Sequence, residues 1–172
     1  MIELENELRS RIDGLKRKIV RKAVATCERR IERELPEKIG KELSELHAEK
    51  GFIRMRVERS SILKLCRLLR DSHKFNHLSL ITTVDWDDRF ELVYHLFSYP
   101  YNCAAEIKVD IPRDDPKVDS VTPLWGGANW HEREAYDMMG IVFLNHPDLR
   151  RILLPQEYEY FPLRKDFKME LE

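Results

Sequence analysis

The chain predicts an α+β fold: a small, mostly antiparallel sheet with packed helices, an N-terminal helical extension and an extended C-terminal wrapping tail. Three observations predict it. Apolar residues recur at spacings of three and four over residues 1–35, the period of a helix. The middle of the chain alternates apolar and polar residues in short runs joined by polar turns, the period of a half-buried strand. Beyond Gly140 neither period persists, and Pro147, Pro155 and Pro162 interrupt the chain; each removes a backbone donor. The expected organisation is a basic amphipathic helical extension (1–35), an α+β core domain (36–145) and an extended docking tail (146–172).

The first helix rests on Leu4, Leu8, Ile12, Leu15, Ile19, Ala23, Cys27, Ile31 and Leu35, which form one narrow apolar stripe. Lys16, Arg17, Lys18, Arg21 and Lys22 form a local basic cluster without an acid among them. Three roles are open to it: a solvated face, contact with an acidic partner subunit, or contact with anionic lipid head groups. Pro36 predicts a break, because it disfavours helical angles at Leu35 and suits the first turn of a new helix. A short second helix is then expected over Glu37 to Leu46, with Ile39, Leu43 and Leu46 on one side and Gly51 at its end.

Phe52 to Glu58 alternates, with Ile53, Met55 and Val57 on the buried side, and predicts the first strand. Ser60 or Ser61 suits the cap of a following helix whose apolar face is Ile62, Leu65, Cys66 and Leu69. His73, near its end, is placed to favour the helix dipole. His77 to Val84 and Arg89 to Ser98 read as an antiparallel hairpin across the polar turn Asp85 to Asp88. Cys103 to Asp110 is a fourth strand. Pro112 and Pro116 force a loop, and Gly126-Gly127 leads into a helix over Asn129 to Met139 that stops at Gly140.

Composition narrows the function. A chain of 172 residues suits one ordinary domain. Acidic and basic residues stand at 31 against 30, so nothing global favours nucleic acid. Cys27, Cys66 and Cys103 are far apart without a CxxC pair and read as buried thiols of a reducing compartment. No apolar run approaches the ~20 residues that span a bilayer, and residues 1–7 do not resemble a secretory signal. At a membrane, a partner must hold such a chain.

The densest stretch is Trp130 to Phe167. His131, Glu134 and Asp137 follow one another at spacings of three, so one helical face can carry all three toward a metal. The HExxH zinc arrangement is absent, however, because no histidine stands four residues after His131. Glu132, Arg133 and Glu134 alternate in sign, which points to ion pairing, with Arg150, Arg151 or Arg164 as partners. His146-Pro147-Asp148 holds a histidine beside an acid, but no nucleophile is placed near it. A histidine in a rigid turn, bonded to backbone, is the expectation; both His131 and His146 are of the residue type that titrates near neutral pH. Arg150, Arg151, Arg164 and Lys165 lie beside Asp148 and Asp166, and arginine offers planar, bidentate pairing to carboxylates. Gly126-Gly127 stands without GxGxxG or GKS/GKT. Aromatics among arginines are interface anchors. The reading is therefore a docking surface without a catalytic site. Two rivals remain: a stand-alone metal-dependent hydrolase using His131, Glu134 and His146, and RNA binding through the basic first helix.

These residues also carry a resemblance. Glu132-Arg133-Glu134 with Asp137, then Gly140-Ile141-Val142-Phe143, then His146 to Pro155 (HPDLRRILLP), then Pro162 to Asp166 (PLRKD) closely resemble the signature of the 30 kDa-type subunit of respiratory complex I and related energy-converting membrane complexes. His77-Leu78-Ser79 through Asp85 and the run Phe90 to Leu96 look like the same family, and the resemblance covers roughly residues 37–168. Tyr160 stands where the family usually has glycine, and Met138 and Met139 where a leucine and an aromatic are common.

The resemblance implies a peripheral, cytoplasm-facing subunit that binds no cofactor of its own. It implies partners: a large subunit related to the nickel–iron hydrogenase large subunit, a small iron–sulfur subunit, and the membrane arm indirectly. Iron–sulfur clusters, and a nickel–iron centre in some members, would sit in those partners. The implied interface residues are Trp130, Glu132, Arg133, Glu134, Asp137, His146, Asp148, Arg150, Arg151, Arg164, Lys165 and Asp166. Compactness, the missing fusion to a second domain and the Lys/Glu content lean toward an archaeal member, in a ferredoxin-linked membrane-bound hydrogenase or its sulfur-reducing relative. A quinone-, methanophenazine- or F420-linked dehydrogenase comes next.

Overall fold

The computed structural model describes residues 2–168, with side chains from Arg9 onward. Three helices, α1 (Ile2–Ile39), α2 (Ile62–His73) and α3 (Ala128–Met139), accompany a five-stranded sheet. Its strands are β1 (Leu43–Glu49), β2 (Phe52–Val57), β3 (His77–Asp85), β4 (Arg89–Ser98) and β5 (Cys103–Pro112), in spatial order β1-β2-β5-β4-β3. Every neighbouring pair is antiparallel except β2 and β5. That parallel pair needs a crossover, which runs through α2 and the β3–β4 hairpin. A second, two-stranded parallel sheet joins β6 (Lys117–Asp119) to β7 (Val142–Leu144).

The core lies on one face of the large sheet. Ile53, Met55 and Val57 of β2 are buried with Leu92, Tyr94 and Leu96 of β4 and Ile107, Val109 and Ile111 of β5. Cys27, Ile31, Leu35 and Ile39 of α1 and Ile62, Leu65, Cys66 and Leu69 of α2 complete it. The period-2 alternation of β2 and β4 is thus the sheet's inner face. The three cysteines are buried and free.

The structure corrects the sequence reading between residues 36 and 51. α1 continues through Pro36 to Ile39. Leu35 and Ile39, on either side of the proline, are both buried, and that packing outweighs the one backbone donor proline lacks in a last turn. The expected second helix does not form. A short 3₁₀ turn (Gly40–Glu42) leads into β1, an edge strand zipped to β2. Lys50 and Gly51 make the connecting turn, with φ of 53° and 84°, the left-handed pair a two-residue hairpin loop demands. Glu28 Oε1 of α1 accepts the Gly51 N–H at 2.6 Å.

Two further expectations change at α2. The Ser61 hydroxyl does not cap the helix but donates to Glu42 Oε2 at 2.6 Å. His73 is buried, its Nε2 3.5 Å from Glu34 Oε2. Burial pushes its pKa down, against the pull of Glu34, which disfavours the cation that the helix dipole would favour.

Candidate functional site

α3 is the organising element. It begins after Gly126-Gly127 without a side-chain cap and ends at Gly140, whose φ of 72° supplies the left-handed stop. A methyl group at Gly140 would sit 2.8 Å from the Phe161 ring carbons and against the Arg164 guanidinium. The tail therefore passes directly over the end of α3, and only glycine leaves it room.

The inward face of α3 carries three charged residues of the sequence motif. Asp137 is fully buried. Its Oδ1 accepts from Arg151 Nη1 at 2.6 Å. Its Oδ2 accepts the backbone N–H groups of Ile152, Leu153 and Leu154 at 3.0, 2.7 and 3.1 Å. Burial opposes the charge, but these donors outweigh it and hold the carboxyl below its ordinary pKa. Arg133 donates to the carbonyls of Arg150 (3.1 Å) and Arg151 (3.3 Å) and lies 5.4 Å from the Trp130 ring centroid. Arg151 also donates to the Tyr160 carbonyl at 3.2 Å. The ion pair expected from the Glu132–Glu134 triplet thus forms one turn later, at Asp137.

Glu132 has another role. It is buried, accepting the Ser120 hydroxyl at 2.6 Å and the Val121 N–H at 2.7 Å. Burial pushes its pKa up to about 7, against those two bonds. The buried His146 side chain faces it, Nε2 to Oε2 3.9 Å. His146 Nδ1 accepts the Asp148 N–H at 3.0 Å, the backbone bond the rigid-turn expectation required, and burial lowers the ring's pKa.

The tail, without regular structure after Leu144, is laid on its own domain. Arg164 Nε donates to the Met139 carbonyl at 2.7 Å, and its guanidinium stacks over Phe161 (4.4 Å) and Phe90 (5.1 Å). The Lys165 N–H reaches Asp85 Oδ2 at 2.8 Å. Asp85 also binds Arg113, which in turn binds Asp166 at 3.1 Å. Asp85 and Arg113 were missed by sequence reasoning; the acid looked like part of the Asp85–Asp88 turn. Arg150 and Asp148 form an exposed pair at 3.0 Å. Residues 169–172 of the expected docking tail lie outside the described residues.

The outward side of this frame is different in kind. Trp130, Glu134, Leu153, Tyr160 and Leu163 are exposed. Between β3 and α3 lies a cleft of 110 Å³ lined by Leu80, Thr82, His131, Glu134, Met138 and Leu163 among others. The metal arrangement considered from sequence does not assemble. His131 and Glu134 face the cleft, Asp137 turns inward to Arg151, and His146 lies buried against Glu132. Among the described residues no cluster of three or more His, Cys, Asp or Glu is placed to hold a metal ion. No described helix is long and apolar enough to cross a membrane.

Comparison with known proteins bears on this geometry. Residues 55–172 match the family described as respiratory-chain NADH dehydrogenase, 30 kDa subunit. The chain is 37% identical over 140 residues to a subunit of the NADH-quinone oxidoreductase of Geobacter sulfurreducens, covering 79% of this chain and 86% of that one. It is 45% identical over 118 residues to the corresponding subunit of Moorella thermoacetica, covering 67% and 80%. Among solved structures it is similar to a trypsin-resistant fragment of Nqo5, with a TM-score of 0.58 and 33% identity, over 70% of this chain and 99% of that one. It is also similar to a chain of the membrane-bound sulfane sulfur reductase, an archaeal respiratory membrane complex, with a TM-score of 0.67 and 26% identity, over 82% and 85%.

Proposed function

The chain belongs to the respiratory-chain NADH dehydrogenase 30 kDa subunit family, and from that premise we propose that it is a non-catalytic bracing subunit of a membrane-bound oxidoreductase complex. One observation carries the reading. A buried network fixes α3 and the tail to one another, and the same two segments present Trp130, Leu153, Tyr160 and Leu163 to solvent. Exposed aromatic and aliphatic side chains on a rigid frame are what docking faces are made of.

The partners proposed are a hydrogenase-like large subunit and a small iron–sulfur subunit, which carry the redox centres. The chain holds them in register on the cytoplasmic side of the membrane. Register matters because a misplacement of ~1 Å at a reacting centre costs on the order of 100-fold in rate. A ferredoxin-linked hydrogenase or a sulfur-reducing complex is one parent assembly, in keeping with the likeness to the archaeal sulfur reductase chain over 82% of this one. A quinone-linked dehydrogenase is the second reading, favoured by the names of the curated relatives at 37% and 45% identity.

The test is purification of the tagged chain from native membranes in mild detergent, with mass spectrometry, metal analysis and acceptor assays on the eluate. Recovery with a large redox subunit and an iron–sulfur subunit is expected. Nickel with proton reduction would mark a hydrogenase, sulfane reduction a sulfur reductase, and quinone reduction the second reading. A chain that elutes by itself with bound metal and hydrolytic activity would overturn the proposal.

A further inference from the structure

α1 is two structures in one helix. From Cys27 onward its stripe is core. From Arg9 to Lys22 every side chain is exposed, so about 20 Å of helix stands clear of the domain. That arm carries large apolar residues in the open: Ile12 is 49% exposed, Leu15 60% and Ile19 68%. At 3.6 residues per turn these three share a sector of about 60°.

The charges around the seam are of one sign. Lys16 follows Ile12 by four residues, Lys18 follows Leu15 by three, and Lys22 follows Ile19 by three; residues at those spacings are neighbours on a helix. Between Arg9 and Lys22 there are seven lysines and arginines, with Asp13 the one acid. Val20 stands apart from the seam, across the row of Lys16.

Three occupants can cover such a seam. A second copy of the arm would bring lysines against lysines, and like charges at flanking positions select against pairing. A lipid surface takes a helix whose apolar face carries Trp, Phe and Leu, and residues 9–22 hold one leucine and no aromatic. A helix from another subunit needs a narrow seam at three- and four-residue spacing with charges on both flanks. We infer that the exposed Ile12–Leu15–Ile19 seam is the docking site of an acidic helix from a companion subunit, its Asp and Glu residues flanking an apolar stripe of the same spacing and meeting Lys16, Lys18 and Lys22. The inference rests on the assembly reading above and adds a contact remote from α3.

The experiment uses the assembled complex. Leu15 is replaced by the photo-crosslinker p-benzoylphenylalanine, which leaves the core untouched because Leu15 is outside it. The complex is purified from native membranes, irradiated and digested, and the adduct is sequenced. The expected adduct is one peptide of a companion subunit, with acidic residues flanking apolar ones three and four apart. Lys18→Glu with Lys22→Glu should then cut its yield at least fivefold. An adduct with lipid, with a second copy of this chain or with a peptide lacking acids would overturn the inference, as would an intact complex that yields none. A chain recovered without companions would overturn the assembly reading instead, and this inference with it.

Discussion

Arg151 binds Asp137 twice, through the carboxylate at 2.6 Å and through the carbonyl of the same residue at 2.9 Å. The other carboxylate oxygen takes three successive N–H groups from Ile152 to Leu154. One buried acid therefore shapes a loop that begins 14 residues away. The loop has no strand or helix of its own to satisfy its backbone, so Asp137 accepts the N–H groups that a neighbouring strand would otherwise take.

Asp137→Asn is expected to break this unit. The amide keeps one acceptor oxygen where the carboxylate has two, and it leaves the mostly buried Arg151 without a counter-charge. Removing one partner of a buried pair costs about 3–5 kcal/mol. Urea unfolding should show a loss in that range. Limited trypsin digestion should cut at Arg150 or Arg151 well before it cuts the sheet. An unchanged digestion pattern would show that the loop holds its shape without the carboxylate.

The strands β2 and β4 and the stop of α3 at Gly140 are legible in the sequence because their signals are local: alternation, or a glycine after a periodic run. β1 was not legible. Its apolar residues Leu43, Leu46 and Ala48 pack half-buried against the core, but a register shift between Leu43 and Glu45 breaks their period-2 spacing, so in the sequence Leu43 and Leu46 share the three-residue spacing of a helix face. The choice of Asp137 over Glu132 as the partner of Arg151 was equally hidden. Both acids are buried on α3, and what separates them is the neighbour each meets, Ser120 and Val121 for one and the 150s loop for the other. The Lys165–Asp85 bond spans 80 residues, and no spacing rule reaches that far.

Gly140→Ala should be far more costly than a surface glycine change. The position needs φ of 72°, and the added carbon would press on Phe161. Left-handed strain alone costs of order 1 kcal/mol, and the displaced ring adds overpacking of about 1–3 kcal/mol. The expected result is a lowered Tm together with increased amide exchange at Leu163 and Arg164. Gly14→Ala serves as the contrast. It meets nothing nearby and should slightly raise helix stability.

Stability should fall as pH rises from about 4.5 to about 7, and level off above that, because of Glu132. Its folded pKa, about 7, lies above the unfolded value of 4.5. The folded state therefore holds a proton that the unfolded state has released, and the carboxyl opposes folding increasingly from pH 4.5 up to about 7. The full swing is about 3 kcal/mol. His73 and His146, both lowered below 6.5, act in the other direction: below pH 6.5 the unfolded state takes up protons the buried rings refuse. Glu132→Gln keeps an acceptor for the Val121 N–H and removes the charge. Thermal melts from pH 4.5 to 8 should then lose the decline on the alkaline side and keep the histidine-driven decline on the acid side. A variant with the wild-type profile above pH 6 would rule out Glu132 as its source.

Arg150 and Arg164 should separate two ways of supporting an assembly. Arg164 is engaged inside the chain, bonded to the Met139 carbonyl and stacked on Phe161 and Phe90. Arg164→Lys keeps the charge but loses the planar stack and the Nε bond, at a cost of about 1–3 kcal/mol. It should lower the stability of the isolated chain and, through the shifted tail, its recovery in the complex. Arg150 is exposed, and its pair with Asp148 is a surface pair worth about 0–1 kcal/mol. Arg150→Ala should leave the Tm of the isolated chain within a degree or two and lower recovery in the complex only if the side chain meets a partner. Chemical denaturation of each isolated variant, set beside its yield of assembled complex, reads both quantities. If Arg164→Lys lowers chain stability without changing the yield, the tail's geometry is not what the partners grip. If Arg150→Ala changes neither, the exposed side of the His146–Pro155 loop faces water in the complex.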